Sequence, residues 1–138
     1  MDRTRLTAWT LTLAGLIPFV GCAALVFLTP DGAGVWVEPL AAYGAIILSF
    51  LGGARWGRAM ASPELDSLQL VLSNLPAVAA WLTFLPTVPD EFQLLVLIFG
   101  LIAMLYWDMR TAPVWYRNLR LMATAGAMLS LFFVMQSL

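Results

Sequence analysis

Long apolar runs alternate with short polar stretches along the whole sequence. The apolar runs cover residues 7–28, 39–57, 68–85, 92–107 and 119–138. The hydrocarbon core of a bilayer is roughly 30 Å thick, and a helix that crosses it needs about 20 mostly apolar residues. As a helix, the 22 residues of the first run extend about 33 Å. The pattern predicts an all-α, polytopic membrane helix bundle with about five transmembrane helices.

The stretches between the runs have the composition of loops. Residues 29–34 and 86–91 combine proline and acidic side chains, and residues 61–67 and 108–118 are also polar and contain proline. Proline ends helices and charged side chains prefer water, so these stretches are expected to leave the membrane. We therefore predict a single transmembrane domain over residues 1–138.

The fourth run is the shortest of the five. Its 16 residues reach only about 24 Å as a helix. We expect its flanking residues, or local thinning of the bilayer, to complete this crossing.

Composition agrees with a membrane protein and excludes several kinds of chemistry. The chain is 62% hydrophobic and 11% charged, whereas a soluble domain carries about 25% charged residues. It has no histidine and one cysteine, which excludes His-based zinc, haem and triad sites as well as an internal disulfide. We predict no metal, no cofactor, no nucleic-acid ligand and no catalytic residues.

The basic residues give an independent test of the five crossings. All seven are arginines, and they occupy three stretches, residues 3–5, 55–58 and 110–120. With five crossings these stretches lie on one side of the membrane. The positive-inside rule makes that side cytoplasmic, so the N-terminus is predicted inside and the C-terminus outside.

The N-terminal run has a competing interpretation as a secretory signal peptide. Residues 19–22 (FVGC) are similar to a lipoprotein cleavage site that would leave Cys22 acylated. The residues after Cys22 stay apolar through Leu28, whereas a mature lipoprotein usually begins with polar residues. This favours a retained helix in which Cys22 is a small packing residue.

Small side chains are expected to bring the helices together, because lipid tails are as apolar as leucine and provide no hydrophobic drive for helix association. In the second run small residues recur at every fourth position: Ala41, Ala45, Ser49, Gly53 and Gly57. We predict that they form a packing face and that this helix lies at the centre of the bundle. Ile46, Ile47 and Phe50 are then expected to point outward. Pro18 is expected to kink the first helix.

Asn74 is the most polar side chain predicted well inside the membrane. Pro76 lacks an N–H and frees the carbonyl of Leu72, which creates a local polar spot. One interpretation is structural, with Asn74 capping this spot or bonding a neighbouring helix. The alternative is a small transporter or permeation subunit with a polar site near Asn74 and Pro76.

Two segments at the predicted cytoplasmic boundary concentrate arginine and aromatic residues. They are residues 49–57 (SFLGGARWG) and residues 113–120 (PVWYRNLR). With Asp108, which is expected to pair with Arg55, Arg110 or Arg117, they contain a candidate site for a lipid head group or a partner protein. Its members are Arg55, Trp56, Arg58, Asp108, Trp115, Tyr116, Arg117 and Arg120.

The same two segments resemble an uncharacterised family of small bacterial membrane proteins. This family is a numbered domain of unknown function and also includes the mitochondrial transmembrane protein 69. The stretch from Asn74 to Trp81 is similar to the third helix of the family, and the resemblance extends over nearly the whole chain. It implies a five-helix protein of the bacterial inner membrane and no established activity.

Three roles stay open for the arginine-rich segments. They could serve only to fix orientation and depth, they could bind the phosphate of an anionic lipid, or they could dock a membrane-protein partner or a second copy of the chain. The most favoured function is a non-enzymatic structural, assembly or lipid-interacting protein. The transporter is the alternative.

The predicted orientation can be tested with engineered cysteines. In a Cys22→Ser background, a cysteine at Glu64, close to Arg58, should be protected from a membrane-impermeant maleimide in intact cells. A cysteine at Glu91 should be labelled, because residues 86–91 are predicted on the other side. Labelling at Glu64 and protection at Glu91 would reverse the orientation.

Overall fold

The computed structural model describes residues 2–29 and 33–138. This part of the chain forms six α-helices: α1 (Arg3–Ala14), α2 (Ile17–Leu28), α3 (Ala33–Met60), α4 (Ser67–Leu82), α5 (Asp90–Thr111) and α6 (Val114–Met135). Helices α1 and α2 belong to one apolar segment, so the described residues hold four segments long enough to cross a membrane and one shorter apolar helix, α4. The predicted all-α membrane bundle with about five apolar helices is confirmed. The predicted loop at residues 29–34 lies partly outside the described residues.

The first apolar segment is interrupted near Pro18, as expected. Pro18 occupies the first turn of α2, and it has no N–H to donate to the carbonyl of Ala14, the last residue of α1. The hydroxyl of Tyr43 on α3 donates to the carbonyl of Gly15 at 2.9 Å. The interruption is therefore tied directly to the neighbouring helix.

With α1 and α2 taken as one segment of 26 residues, the helical segments are longer than the apolar runs that predicted them, except at α4. Helix α5 has 22 residues and extends beyond the fourth apolar run at both ends, which confirms that flanking residues complete this crossing; the shortest of the five segments is α4, with 16 residues. Asp90 and Glu91 are included in the first turn of α5, where acidic side chains are favoured by the helix dipole. The same helix continues through Asp108 because arginines from α3 and α6 neutralise its carboxylate.

Helix α3 lies at the centre of the bundle, which confirms its predicted position. It packs against α2, α4, α5 and α6. The core around it is built largely from fully buried leucines, namely Leu40, Leu48, Leu94, Leu97, Leu101 and Leu131. Helix α3 therefore contacts four other helices.

The predicted packing face of α3 is correct in its first half and wrong in its second. Ala41 and Ala45 are buried, and Ser49 is half-buried, whereas Gly53 and Gly57 are exposed, and a Cβ atom at either position would have no described atom of another helix within 4 Å. A spacing of four residues exceeds the 3.6 residues of a helical turn, so the stripe rotates by about 40° at each step. By Gly53 it has turned away from the other helices of the chain.

Gly52, and not the predicted Gly53, makes the close contact between α3 and a neighbouring helix. A Cβ atom at Gly52 would lie 2.5 Å from the backbone carbonyl oxygen of Ser73 on α4. Helices α3 and α4 therefore approach each other closely because Gly52 has no side chain.

The outward-facing residues of α3 also follow the prediction only in part. Ile46 and Phe50 are exposed, as expected. Ile47 is half-buried and packs against the core, so its predicted outward orientation is wrong.

Replacing Gly52 with alanine is expected to destabilise the protein by about 1–3 kcal/mol, because the backbone of α4 cannot move away from the new methyl group. Gly53→Ala is the matched control, since it places the same methyl group in open space and alanine favours a helix over glycine by about 1 kcal/mol. The measurement is the midpoint of thermal unfolding in one detergent. A Gly52→Ala midpoint at or above that of Gly53→Ala would contradict this packing.

Candidate functional site

The three arginine-containing stretches meet at one end of the bundle, which we call the arginine end and define by residues 3–5, 55–58 and 108–120. The guanidinium carbon of Arg5 lies 5.5 Å from the ring centroid of Trp115, which connects the start of α1 to the start of α6. The end of α3 contacts the connection between α5 and α6 through Arg58, whose Nη2 donates to the carbonyl of Thr111 at 3.3 Å.

A buried carboxylate organises this end. Asp108 on α5 forms ion pairs with Arg55 on α3, through Oδ1 and Nη2, and with Arg120 on α6, where Oδ2 and Nε are 2.6 Å apart. All three residues are at most 8% exposed. One negative charge therefore joins three helices and faces two positive charges inside the bundle.

Arg55 is held on several sides besides its ion pair. Its Nη1 donates to the hydroxyl of Thr111 at 2.6 Å, and that hydroxyl donates to the carbonyl of Trp107 at 2.9 Å. The Arg55 guanidinium carbon also lies 4.8 Å from the ring centroid of Trp107, a cation–π contact. Trp107, Asp108 and Thr111 surround Arg55 because residues three and four apart share one face of a helix.

Three arginines were predicted as partners for Asp108. In the structure Asp108 pairs with one of them, Arg55, and with a further arginine, Arg120. The Arg55 pairing is confirmed. Arg110 instead places its guanidinium carbon 4.5 Å from the ring centroid of Tyr106. Arg120 is the added partner, and it reaches Asp108 because α6 turns back along α5 after Pro113.

Arg117, the third partner considered for Asp108, makes a different contact. Its Nε donates to the carbonyl of Ala112 at 2.9 Å, immediately after the end of α5. Arg117 therefore fastens the short connection between α5 and α6.

A cleft of about 310 Å³ opens beside the buried ion pairs. Five of the eight predicted site residues line it, together with Leu51, Ala54 and Pro113: Arg55, Arg58, Asp108, Trp115 and Tyr116. Trp56 is exposed, and neither Trp56 nor Arg117 belongs to this lining. Arg120 is buried behind Asp108, away from the cleft.

Asn74 lies apart from this site. It is exposed on α4, and its Nδ2 donates to the carbonyl of Leu70 within the same helix at 2.8 Å. Ser73 beside it is buried and donates to the same carbonyl. Asn74 thus bonds the carbonyl of Leu70, one turn earlier in its own helix. This is a different carbonyl from that of Leu72, which Pro76 leaves without its usual N–H donor.

Sequence reasoning did not assign Thr111, Trp107 or Thr124 to a site. Thr111 follows Asp108 by three residues, and this spacing is a signal that could have identified it. Trp107 directly precedes Asp108 in the sequence, and this adjacency is a second signal. Thr124 follows Arg120 by four residues and lies on the same face of α6, where both side chains are buried.

Asp108→Asn is expected to destabilise the protein by about 3–5 kcal/mol, because it leaves two buried guanidinium groups without a counter-charge. Glu64→Gln, which neutralises an exposed acidic residue in the loop after α3, is the control and should change stability little. Thermal unfolding in detergent measures both. Equal midpoints for the two variants would show that Asp108 does not support the arginine end.

Comparisons with known proteins agree with the helical architecture. The chain matches over residues 4–136 the model of a family described as a protein of unknown function, DUF3429. Transmembrane protein 69 of Xenopus tropicalis is 41% identical over 131 residues, covering 88% of this chain and 50% of that protein. Transmembrane protein 69 of Mus musculus is 34% identical over 126 residues, covering 87% of this chain and 51% of that protein.

The chain spans about half the length of the curated relatives it matches. No solved structure matches it. The family match covers nearly all of the chain and both relatives are named as transmembrane proteins, in agreement with the apolar helices of the bundle. The protein therefore belongs to the DUF3429 family of unknown function, the family that includes transmembrane protein 69.

Proposed function

We propose that this protein is a non-enzymatic membrane protein that binds the head group of an anionic lipid in the cleft at its arginine end. The observation that carries the proposal is a cleft of about 310 Å³ lined by Arg55 and Arg58 beside the single carboxylate of Asp108. The transporter alternative has no comparable support, because Asn74 bonds its own helix.

The charge balance at the cleft favours an anion. Arg55, Arg58 and Arg120 carry three positive charges, and Asp108 carries one negative charge that both buried arginines already share. The carboxylate is therefore neutralised, and a net positive charge remains close to the cleft. Basic pockets between helices on the cytoplasmic side of a membrane are known to bind the phosphates of anionic lipids.

Arg58 is the side chain best placed to contact a phosphate. It is exposed, and the hydrogen bond found for it within the described residues is a 3.3 Å contact to the Thr111 carbonyl, slightly longer than a typical N–H···O hydrogen bond. A guanidinium carries five N–H donors and binds phosphate oxygens in pairs. Most of the donor capacity of Arg58 is thus available to a ligand.

Two aromatic residues of the cleft fit a position at the level of the head groups. Trp115 and Tyr116 are half-buried at the start of α6, and their rings contact each other edge to face with centroids 5.7 Å apart. Trp and Tyr are enriched where the hydrocarbon core meets the head groups. A lipid whose phosphate lies at Arg58 would pack its glycerol region against these rings.

The proposal includes a location and an orientation. We place the protein in the bacterial inner membrane as a multi-pass protein, with the arginine end on the cytoplasmic side. Anionic lipids in that leaflet attract basic segments of the adjoining protein surface. In this position the cleft would serve a structural or assembly role, holding the protein to its lipid or to a lipid-bound membrane-protein partner.

Arg58→Gln is expected to reduce the anionic phospholipid that co-purifies with the protein in mild detergent by about tenfold. The reason is the loss of one charge-assisted contact, which is worth about 1.5–3 kcal/mol. The measurement is the ratio of cardiolipin and phosphatidylglycerol to phosphatidylethanolamine per protein, by mass spectrometry of the extracted lipids.

Arg110→Gln is the matched control, because it removes the same charge from the same end of the bundle. Arg110 contacts Tyr106 and does not belong to the lining of the cleft. Lipid ratios that fall equally in both variants would mean that only the overall charge matters. Ratios that fall in neither variant would overturn the proposed head-group site.

A further inference from the structure

A second cavity lies inside the bundle on the other side of the arginine cluster. It has a volume of about 390 Å³ and is bordered by α1, α2, α3, α5 and α6 at the interruption between α1 and α2. Most of its lining is apolar and includes Leu11, Leu16, Phe19, Phe50, Leu51 and Ala127. Leu11 and Phe50 are also among the exposed apolar residues, so the cavity opens between them toward the lipid.

Two polar atoms in this apolar lining have no hydrogen-bond partner anywhere in residues 2–29 and 33–138. They are Nη2 of Arg120 and Oγ1 of Thr124. Both residues line the cavity, and they are 6% and 2% exposed. Because they are four residues apart on α6, they lie one above the other on the same helix face.

Such atoms are rarely left without partners in folded proteins. The large majority of buried polar side-chain atoms have a partner, and those that do not call for an explanation such as a ligand. Ser130, which lies further along α6, is satisfied in the ordinary way, since its hydroxyl donates to the carbonyl of Gly126 at 3.0 Å. The unsatisfied pair is therefore a local feature of the cavity.

The charge of the buried cluster indicates what kind of group is missing. Arg55 and Arg120 carry two positive charges and Asp108 carries one negative charge, all of them buried. A buried charge without a counter-charge is costly. An anionic acceptor at Arg120 Nη2 would neutralise the remaining charge and satisfy both open donors, because the hydroxyl of Thr124 can also donate.

We infer that this cavity binds a single-chain amphiphile with a carboxylate head group, a long-chain fatty acid in chemical class. One carboxylate oxygen accepts from Arg120 Nη2 and the other from the Thr124 hydroxyl. The acyl chain lies along the apolar lining and leaves between Leu11 and Phe50. A volume of about 390 Å³ is near the lower end of the range for small-molecule pockets, roughly 300–1,000 Å³, which fits one chain better than the two chains of a phospholipid.

This inference does not rest on the proposed head-group site. The cavity and the cleft share only Leu51 and Tyr116 among their lining residues. One takes a carboxylate within the bundle, and the other takes a phosphate at its end. A failure of either can therefore be recognised separately.

The test uses the full chain in nanodiscs of phosphatidylcholine, which supplies no net anionic lipid. The probe is palmitic acid with a photoreactive diazirine at the end of its chain, and mass spectrometry of the digested protein locates the labelled peptides. Labelling is expected in the peptides that contain Leu11 and Phe50, where the end of the chain leaves the cavity, and unlabelled palmitate should suppress it. Methyl palmitate, which has the same chain without the charge, should compete at least tenfold less well.

Thr124→Val removes the open hydroxyl while nearly preserving the side-chain shape, so it should leave the fold intact. It is expected to weaken competition by palmitate about tenfold, through the loss of one hydrogen bond to a charged group. Ser130→Ala is the matched control, since it removes a hydroxyl from the same helix that bonds its own backbone, and it should bind like the unmodified protein.

Four results would overturn the inference. The first is that unlabelled palmitate does not suppress the labelling of the wild-type protein. The second is that palmitate and methyl palmitate compete equally well. The third is unchanged competition in Thr124→Val. Equal competition by a neutral quinone would likewise show that the cavity accepts a carbonyl ligand without charge, which contradicts the requirement for an anion at Arg120.

Discussion

The carboxylate of Asp108, held between two arginines inside the bundle, is the interaction on which the architecture of this protein depends most. A charged group in a low-dielectric interior is tolerated only when it is paired and hydrogen-bonded. Asp108 meets that condition by joining α5 to Arg55 of α3 and to Arg120 of α6. The ion pairs therefore fix how three helices meet at the arginine end, where packing of apolar side chains against lipid-like neighbours gives little direction.

The same cluster leaves an excess of positive charge, and this excess faces two spaces of different character. The cleft at the end of the bundle is lined by Arg58 and interfacial aromatic residues, whereas the cavity on the inner side is apolar except for Arg120, Thr124 and a few neighbours. Both proposals follow from this one imbalance. They differ because an exposed guanidinium can exchange water for phosphate, while a buried one needs a partner that enters from the lipid.

Much of the fold could be predicted from the sequence because the bilayer imposes a simple rule on helix length and charge. The five apolar segments follow from that rule, the interruption near Pro18 follows from the chemistry of proline, and the central position of α3 follows from its small side chains. The packing stripe through Gly53 and Gly57 could not be predicted correctly, because a repeat of four residues drifts around a helix. Helix α4 instead packs against α3 at Gly52, where the absence of a side chain leaves room for the carbonyl of Ser73.

For the candidate site, the sequence by itself determined the membrane-spanning helical character of the chain, the grouping of its arginines and the membership of Arg55, Arg58, Asp108, Trp115 and Tyr116 in one region. Tertiary structure alone decided that Arg120, and not Arg117, shares Asp108 with Arg55. It alone decided that Arg120 and Thr124 line one cavity, each with one buried side-chain atom that has no hydrogen-bond partner in the described residues. The physical reason is that composition and charge act on each segment separately, whereas ion pairs and cavities depend on the rotation of one helix against another.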